Sequence, residues 1–376
     1  MKTQAMKMFG LQAPIFAFSH CQDVVAAVSK AGGMGTLGTT RDSVEDLEHM
    51  LSWIDDHVDD EPYGVDIMFA SNAPKEFESM TSKELIGLVP EENWAFVDDI
   101  LRVHDVPPYT KEEKEEVVET YIKEQLRTHA QAEARLEVIY QHPKARMIVS
   151  ALGVPPTHQI ERSHGLGLKV GALVGHPRHV KYHKAADVDI LIAAGYEAGG
   201  HTGDIATFVL TPQIADAAAP IPVLHAGGVM RGRQIAAALA LGAQGVWAGT
   251  VWLSTSEAET TPVEKGLMFG ASSSDTQRTR CGSGKPVRRL KGGFVRAWEE
   301  KGAPEPLPMP LQSVLVEQAF KKMRNHQVEG LLSPPCGQGV GMMVEQTDVR
   351  NIFLEMLTEF GETIEKLGEI RDSLAA

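Results

Sequence analysis

The chain has 376 residues, of which 43% are hydrophobic and 23% are charged. This is the composition of a folded globular protein, and it excludes a disordered, collagen-like or coiled-coil chain. Acidic residues outnumber basic ones by 50 to 36, and the net charge of −14 opposes non-specific binding to nucleic acid or to an anionic membrane.

The cysteines and the amino terminus point to a compartment. Cys21, Cys281 and Cys336 are too few and too scattered for a disulfide framework. The sequence has no CxxC pair, so it does not indicate a structural zinc site. The first residues lack the apolar segment of a signal peptide, and no apolar run reaches the length of a membrane span. We therefore expect a soluble cytoplasmic protein without a metal site, and we expect the three thiols to be incidental or structural.

Short continuous apolar runs recur along the chain, each followed by small residues. Runs of this kind are typical of parallel strands that are buried on both faces. The predicted strands are Pro14–Phe18, Gly33–Gly38, Tyr63–Phe69, Arg146–Leu152, Lys169–Val174, Asp189–Gly195, Pro222–Gly228 and Gly245–Thr250.

The stretches between these strands are predicted helices. Asp23–Lys30 and Arg231–Leu241 carry long apolar faces, and Ser43 with Asp46 three residues later forms a capping signal. Eight alternating units fit a closed (β/α)8 barrel or a doubly wound sheet. The count of eight, and the lack of a GxGxxG turn after the first strand, favour the TIM barrel.

Residues 71–144 separate the third and fourth predicted strands by far more than a normal crossover. Within them Lys111–Tyr140 is charged, nearly free of Gly and Pro, and has apolar residues, Leu126 among them, at helical spacing. We expect a helical insertion that either packs on the barrel or forms a lid over its carboxyl end, where barrel enzymes build their active sites.

The segment that follows residue 255 is the second departure from the alternation. It holds a basic stretch, Arg278–Arg296, then a Pro-rich linker at Gly302–Pro310 and helices near 311–327 and 347–372. We interpret the basic stretch as a loop, either solvated or able to hold the phosphate of a nucleotide or coenzyme A.

Three glycine clusters stand at the predicted ends of strands six, seven and eight: Ala198–Gly203, Ala226–Gly228 and Ala248–Thr250. Successive backbone N–H groups at such places bind anions, and barrels often hold phosphate after their last two strands. The clusters indicate a phosphate-bearing cofactor, although tight turns alone would also explain them.

His201 lies among these small residues. An imidazole has an unperturbed pKa near 6.5, which suits proton transfer, so His201 is the candidate catalytic base or hydrogen-bond donor. The chain has no HExxH, GxSxG or Walker A motif, which argues against a metalloprotease, an α/β-hydrolase and a P-loop ATPase.

At these residues the sequence resembles the nitronate monooxygenase family, whose members are FMN-dependent barrels. The resemblance covers most of the chain outside 71–144, and AGGHTG is its most specific motif. The segments that carry it are Ala13–Phe16, Ala31–Gly35, Glu197–Gly203, His225–Val229, Trp247–Thr250, Ser283–Arg288 and Cys336–Gly341.

The resemblance implies roles for individual residues. His201 would abstract a proton from a nitroalkane or hydrogen-bond a nitronate. The expected cofactor contacts come from the flavin ring and phosphate positions of the family, which are Ala13, Pro14, Ile15, Phe16, Gly199, Gly227, Gly228, Trp247, Ala248, Gly249 and Thr250.

Two positions depart from the family pattern. Asp66 stands where an Asn is usual, and Ala194 where a Gln is usual; both amides normally hydrogen-bond the flavin. A carboxylate at position 66 would accept a bond from flavin N3–H, but would oppose negative charge on the reduced ring. Ala194 supplies no side-chain hydrogen bond.

These observations predict an FMN-dependent oxidoreductase that oxidises alkyl nitronates with O2 to a carbonyl compound and nitrite. The alternative is an NAD(P)H-dependent FMN reductase acting on an enoyl thioester, another acyl-CoA or a quinone. A third possibility is a flavin-binding barrel without activity. The predicted division is an FMN-binding barrel at 1–70 and 145–255, a helical insertion at 71–144, and an extension at 256–376 packed on the barrel. An oligomer is compatible with the sequence.

Overall fold

The computed structural model describes residues 2–39, 42–69, 77, 80–124 and 129–375. Among these residues, eight parallel strands close into a barrel in the order β1-β2-β3-β4-β5-β6-β8-β9. They are β1 (Ile15–Ser19), β2 (Met34–Gly38), β3 (Tyr63–Ile67), β4 (Ala145–Ser150), β5 (Lys169–Val174), β6 (Ile190–Ala194), β8 (Val223–Ala226) and β9 (Gly245–Ala248). The predicted TIM barrel is confirmed, and each of its strands falls on a predicted apolar run.

Helices follow the strands. The helices of the first half are α1 (Gln4–Phe9), α2 (Gln22–Lys30), α3 (Val44–His57), α4 (Ser82–Gly87), α5 (Glu91–Val103), α6 (Lys111–Glu124), α7 (His129–Ile139) and α8 (Thr157–Gly165). Those of the second half are α9 (Val180–Ala185), α10 (Thr207–Ala218), α11 (Gly232–Ala240), α12 (Pro262–Phe269), α13 (Gly293–Ala297), α14 (Leu311–Asn325) and α15 (Val349–Ala375). Short 3-10 helices cover Pro177–His179, Thr250–Ser254, Ser273–Asp275 and Gln338–Met342.

The capping signal at Ser43 forms as the sequence predicts. The Ser43 hydroxyl accepts from the Asp46 N–H at 3.0 Å, and the Asp46 carboxylate accepts from the Ser43 N–H at 3.2 Å. This reciprocal pair satisfies two N–H groups that the first turn of a helix leaves unpaired.

A small antiparallel sheet accompanies the barrel. It joins β7 (Gly200–His201) to β10 (Thr276–Thr279) and β11 (Val287–Leu290), in the order β10-β11-β7. The expectation of a basic loop is wrong for this part of the stretch, because β11 and α13 lie within it. Arg288 and Arg289 are buried rather than solvated, and their guanidinium groups lie over the rings of Tyr196 and Phe320.

The barrel lumen is filled by side chains that alternate along the strands. Phe16 of β1, Met34 of β2 and Met147 of β4 point inward, and α1 adds Met6 and Phe9 from the amino end. Bulky apolar side chains in layers are the usual filling of such a barrel. The amino end is therefore closed by packed hydrocarbon.

The helices inserted after β3 pack chiefly against helices near the end of the chain. Leu85, Val97 and Val118 of α4–α6 share one buried cluster with Phe294 and Val316. By contrast, α7 packs on the barrel itself through Ala132, Leu136 and Ile139. The long helix predicted over Lys111–Tyr140 corresponds to α6 and α7; Leu126 lies outside the described residues.

Candidate active site at the carboxyl end of the barrel

His201 sits on β7, directly after the sixth barrel strand. The backbone of β7 pairs with β11, which places His201 opposite Val287. The His201 Nε2 lies 2.9 Å from the hydroxyl oxygen of Ser283, and the imidazole is half-buried. The hydroxyl can accept from a protonated Nε2 or donate to a neutral one, so this contact serves both states of a proton-transfer group.

Sequence reasoning missed Ser283 as a partner of His201. The two residues are 82 positions apart, and only the pairing of β7 with the β10–β11 hairpin brings them together. The resemblance marks Ser283–Arg288 as a family segment, which was the available signal, but assigns Ser283 no role.

Glycines follow the ends of β8 and β9. Gly227 and Gly228 follow β8 with φ of 139° and 69°, a region that strongly favours glycine. A Cβ at Gly228 would meet nothing closer than 3.5 Å, and one at Gly249 nothing closer than 3.9 Å. An added Cβ at either glycine would thus meet its nearest neighbour at ordinary van der Waals distance, so neither glycine is tightly enclosed.

The N–H groups at these strand ends are available to a ligand. Within the described part of the chain, those of Gly228, Gly249 and Thr250 donate no hydrogen bond to another residue. The Thr250 hydroxyl accepts from the Gly337 N–H at 2.8 Å, which leaves its own hydrogen to donate. Unpaired N–H groups at two adjoining strand ends fit a phosphate group.

Gly199 serves a close backbone contact. A Cβ there would lie 2.8 Å from the carbonyl carbon of Cys336 and from the nitrogen of Gly337. The Gln338 N–H also donates to the Glu197 oxygen at 2.9 Å. The segment after β6 is thus held against the segment at 336–338, which fixes the backbone that carries His201.

The other predicted residues of the last strands divide by side-chain direction. Ala194 and Trp247 point into the lumen, and the Trp247 ring centroid lies 6.1 Å from that of Phe18. Ala248 points outward into the cluster between the sheet and its helices, so only its backbone faces the mouth.

Ala13, Pro14, Ile15 and Phe16 lie away from this mouth, so the structure does not bring these four predicted flavin contacts together with His201. Ala13 and Pro14 precede β1, and Ile15 begins it, so all three lie at the amino end. Phe16 is level with Trp247 and fully buried, with its ring against Phe9 of α1. The part of β1 that reaches the mouth is Phe18–Ser19, followed by His20.

His20 is held above Gly38. Its Nδ1 donates to the Gly38 carbonyl oxygen at 2.8 Å, and a Cβ at Gly38 would lie 2.7 Å from the Phe18 ring and 2.9 Å from the His20 ring. Glycine at position 38 therefore makes room for two rings on the lumen side of β2.

Asp66 points into the lumen near the carboxyl end of β3. Its relative exposure is 2%, and burial raises the pKa of this carboxyl well above its usual range. The backbone oxygen of Asp66 accepts from the N–H and the hydroxyl of Thr39 at 3.1 and 2.9 Å. The structure thus places Asp66 on the same end of the barrel as His201.

Two arginines pack against Tyr196, which precedes the His201 segment. The guanidinium carbons of Arg278 and Arg288 lie 5.0 and 4.6 Å from the centroid of the Tyr196 ring. Arg278 also pairs with Asp204 at 2.6 Å and donates to the Thr202 oxygen at 3.1 Å. The hairpin is thereby anchored to both sides of the His201 segment.

Other titratable groups are poor candidates for this chemistry. Burial lowers the pKa of His225 to about 4 and raises that of Cys336 to about 12, so neither changes charge near neutral pH. No group of three or more His, Cys, Asp or Glu side chains able to hold a metal occurs in the described ranges. None of the described helices has the length and hydropathy needed to span a membrane.

The chain was compared with protein families, with curated proteins and with solved structures. Residues 1–359 match the family model described as nitronate monooxygenase. A Mycobacterium tuberculosis protein named as a monooxygenase is 43% identical, with 98% of each chain covered. A Staphylococcus aureus protein named as a nitronate monooxygenase is 25% identical, with 86% of this chain and 88% of the relative covered. The solved structure of FabK from Thermotoga maritima superposes with a TM-score of 0.73 at 26% identity, covering 98% of this chain and 99% of FabK.

Proposed function

The chain belongs to the nitronate monooxygenase family and is a flavin-dependent oxidoreductase; from this premise we propose that it oxidises alkyl nitronates with O2 to a carbonyl compound and nitrite. The observation that carries the proposal is the placement of His201 and its partner Ser283 on the same end of the barrel as the glycines that follow β8 and β9. One group transfers a proton, and the other holds an anionic cofactor.

We propose that FMN is the flavin and that its phosphate lies against the N–H groups of Gly228, Gly249 and Thr250. The unpaired N–H groups and the free hydroxyl hydrogen of Thr250 support this assignment. The remaining predicted contacts, from Gly199, Gly227, Trp247 and Ala248, are proposals of the same kind. Bound there, the flavin would accept electrons from the nitronate and pass them to O2.

His201 handles the proton. With a neutral nitroalkane, its imidazole takes the proton from the carbon next to the nitro group; with a preformed nitronate, it donates a hydrogen bond to a nitronate oxygen. Ser283 contacts the ring through Nε2 and thereby orients it. A positioned base of this kind contributes about 10²- to 10⁴-fold in rate.

At position 194 the chain has alanine where the family usually has glutamine, so a side-chain hydrogen bond to the flavin is lost and no steric clash is added. Ala194 is buried with a relative exposure of 7% and offers the cofactor a methyl group. We propose that the ring is held there by packing, while its hydrogen bonds come from elsewhere. Asp66 is the polar side chain on the opposite wall of the lumen.

A second candidate function is an NAD(P)H-dependent FMN reductase acting on an enoyl thioester, another acyl-CoA or a quinone. The likeness to FabK along the whole chain favours it. The hairpin that carries Ser283 also carries Arg280 and Lys285, which supply positive charge for a phosphate-bearing nicotinamide or thioester.

We further propose that residues 1–70 with 145–255 form the FMN-binding unit and that residues 71–144 and 256–376 close the substrate cavity. The buried cluster shared by α4–α6 with α13 and α14 supports a common helical body. An oligomer is compatible with this division of the chain.

One experiment separates the candidates. Purified protein is loaded with FMN, and the flavin absorbance is recorded without oxygen, first with NADH or NADPH and then with an alkyl nitronate. Bleaching only by nitronate supports the monooxygenase, and bleaching by the nicotinamide alone supports the reductase. Bound FMN that responds to neither supports a barrel without activity. Failure to bind FMN would contradict all three.

A further inference from the structure

Asp66 is a buried acid, and no counter-charge lies beside it among the described residues. Along β3, Tyr63, Val65 and Ile67 pack outward against the helices, so Gly64 and Asp66 face the lumen by the alternation of a strand. Asp66 is paired in register with Gly38 of β2 and Val149 of β4. Neither neighbour has a polar side chain.

No hydrogen bond from the described residues reaches the Asp66 carboxyl oxygens, and no Lys, Arg or His nitrogen of that part of the chain lies within 4.0 Å of them. The lumen-facing residues of the neighbouring strands include Phe18, Thr36 and Val149. His20, which follows β1, is a titratable group on this wall, and its Nδ1–H is engaged by the Gly38 oxygen.

A second polar atom on this wall also lacks a partner. The Thr36 hydroxyl oxygen is buried without a hydrogen bond to any described residue, and it lies 2.9 Å from the position that a Cβ of Gly64 would take. Thr36 and Asp66 therefore form a polar strip in an otherwise apolar lumen. Such atoms are normally satisfied by a ligand or by ordered water.

An isolated carboxylate at this depth is energetically costly, whereas a carboxylic acid is not. Desolvation is the physical cause that favours the protonated form here. A protonated carboxyl has one O–H donor as well as an acceptor oxygen, which a carboxylate lacks.

We propose that Asp66 presents a neutral carboxylic acid to the pyrimidine side of the flavin and donates a hydrogen bond to it. The inference rests on the proposed binding of FMN at this end of the barrel. In this state Asp66 substitutes for the usual amide as a donor, and it does not oppose the negative charge that reduction places on the ring. Asp66 is thus a positioning residue for the cofactor.

The first test compares the midpoint potential of FMN bound to the wild type and to Asp66→Asn. Both side chains are neutral donors in this proposal, so we expect potentials that agree within error and FMN dissociation constants within about threefold, since one neutral hydrogen bond replaces another. A higher potential in Asp66→Asn would show that the wild type carries a negative charge there, and would overturn the proposal.

The second test examines the apoprotein, so the variant does not have to bind FMN. Infrared spectra of the wild-type apoprotein are recorded at pH 7 in H2O and D2O. We expect a carboxylic acid C=O band that shifts in D2O, is missing from Asp66→Asn, and moves to lower frequency when FMN is added. A missing band would contradict the neutral acid. A band in the apoprotein together with no binding of FMN would instead contradict the proposed function and leave Asp66 without its acceptor.

Discussion

The two ends of this barrel are built by the same eight strands but are filled in opposite ways. At the amino end, Met6 and Phe9 of α1 pack beneath Phe16 and Met34 in one apolar cluster. At the carboxyl end, the glycines Gly228 and Gly249 follow the strands, and polar side chains such as His201 and Asp66 enter. Stability is concentrated at one end, and binding and chemistry are assigned to the other, as the barrel architecture favours.

The two ends also differ in how far apart in the sequence their contacting residues lie. The amino end is closed by neighbours in sequence, since α1 immediately precedes β1. The carboxyl end is assembled from distant segments, because the hairpin β10–β11 supplies Ser283 and the segment at 336–338 packs on Gly199. Substitutions at the amino end should therefore act mainly on stability, and substitutions at the carboxyl end mainly on cofactor binding and chemistry.

The largest expected effect is at His201. His201→Asn should bind FMN normally but lose about 10²- to 10⁴-fold in kcat/KM for a neutral nitroalkane, because the positioned base is gone. Oxidation of preformed nitronate should fall much less. Steady-state kinetics on both substrates measure this, with His49→Asn on the exposed face of α3 as the control. Equal losses on both substrates would argue against a base.

A stability effect of comparable size is expected at the amino end. Phe16→Ala should lower the free energy of unfolding by about 3–5 kcal/mol, because it removes a fully buried ring that contacts Phe9. Urea unfolding of the apoprotein measures this change. The milder Phe16→Leu should keep wild-type affinity for FMN. A marked loss of affinity would instead indicate that Phe16 contacts the flavin.

Much of this division could be predicted from the sequence, since continuous apolar runs identify the barrel strands and glycines mark their carboxyl ends. The placement of Ala13–Phe16 could not be predicted, because the residues that stand at the end of a strand depend on its lateral register with the neighbouring strands. Phe16 pairs with Trp247, and β1 continues for three more residues. Ser283 was missed for a related reason, because strand β7 has only two residues and gives no periodic signal.

Asp66 gives a smaller effect that depends on pH. Since its folded pKa is raised, the native state holds a proton that the unfolded state loses above about pH 4. The free energy of unfolding of the wild-type apoprotein should therefore fall by about 1.4 kcal/mol per pH unit, relative to Asp66→Asn, as pH rises from 4 towards the folded pKa.

The difference between the two proteins should be greatest above the folded pKa and should stop changing with pH below about pH 4. Denaturant unfolding across this range measures it. A difference that stays constant with pH would mean that Asp66 titrates alike in both states.

The smallest effect is expected at Ser283. Ser283→Ala should reduce kcat/KM for a nitroalkane by about two- to tenfold, because one hydrogen bond to Nε2 is lost, and should shift the pH profile of kcat/KM. Ser283→Thr should recover most of both. Ser52→Ala, at an exposed position of α3, is the matched control, and a Ser283→Ala enzyme with an unchanged pH profile would separate Ser283 from the proton-transfer group.

The most direct test of the difference between the two ends is a titration with FMN of two glycine variants. Gly228→Ala and Gly167→Ala place a side chain at φ of 69° and 80°, at the carboxyl and amino ends respectively, so both should lose about 1–2 kcal/mol of stability. We predict one FMN per chain, bound about tenfold more weakly by Gly228→Ala and with unchanged affinity by Gly167→Ala. Equal affinities in the two variants, or no binding by the wild type, would contradict a phosphate site at the ends of β8 and β9.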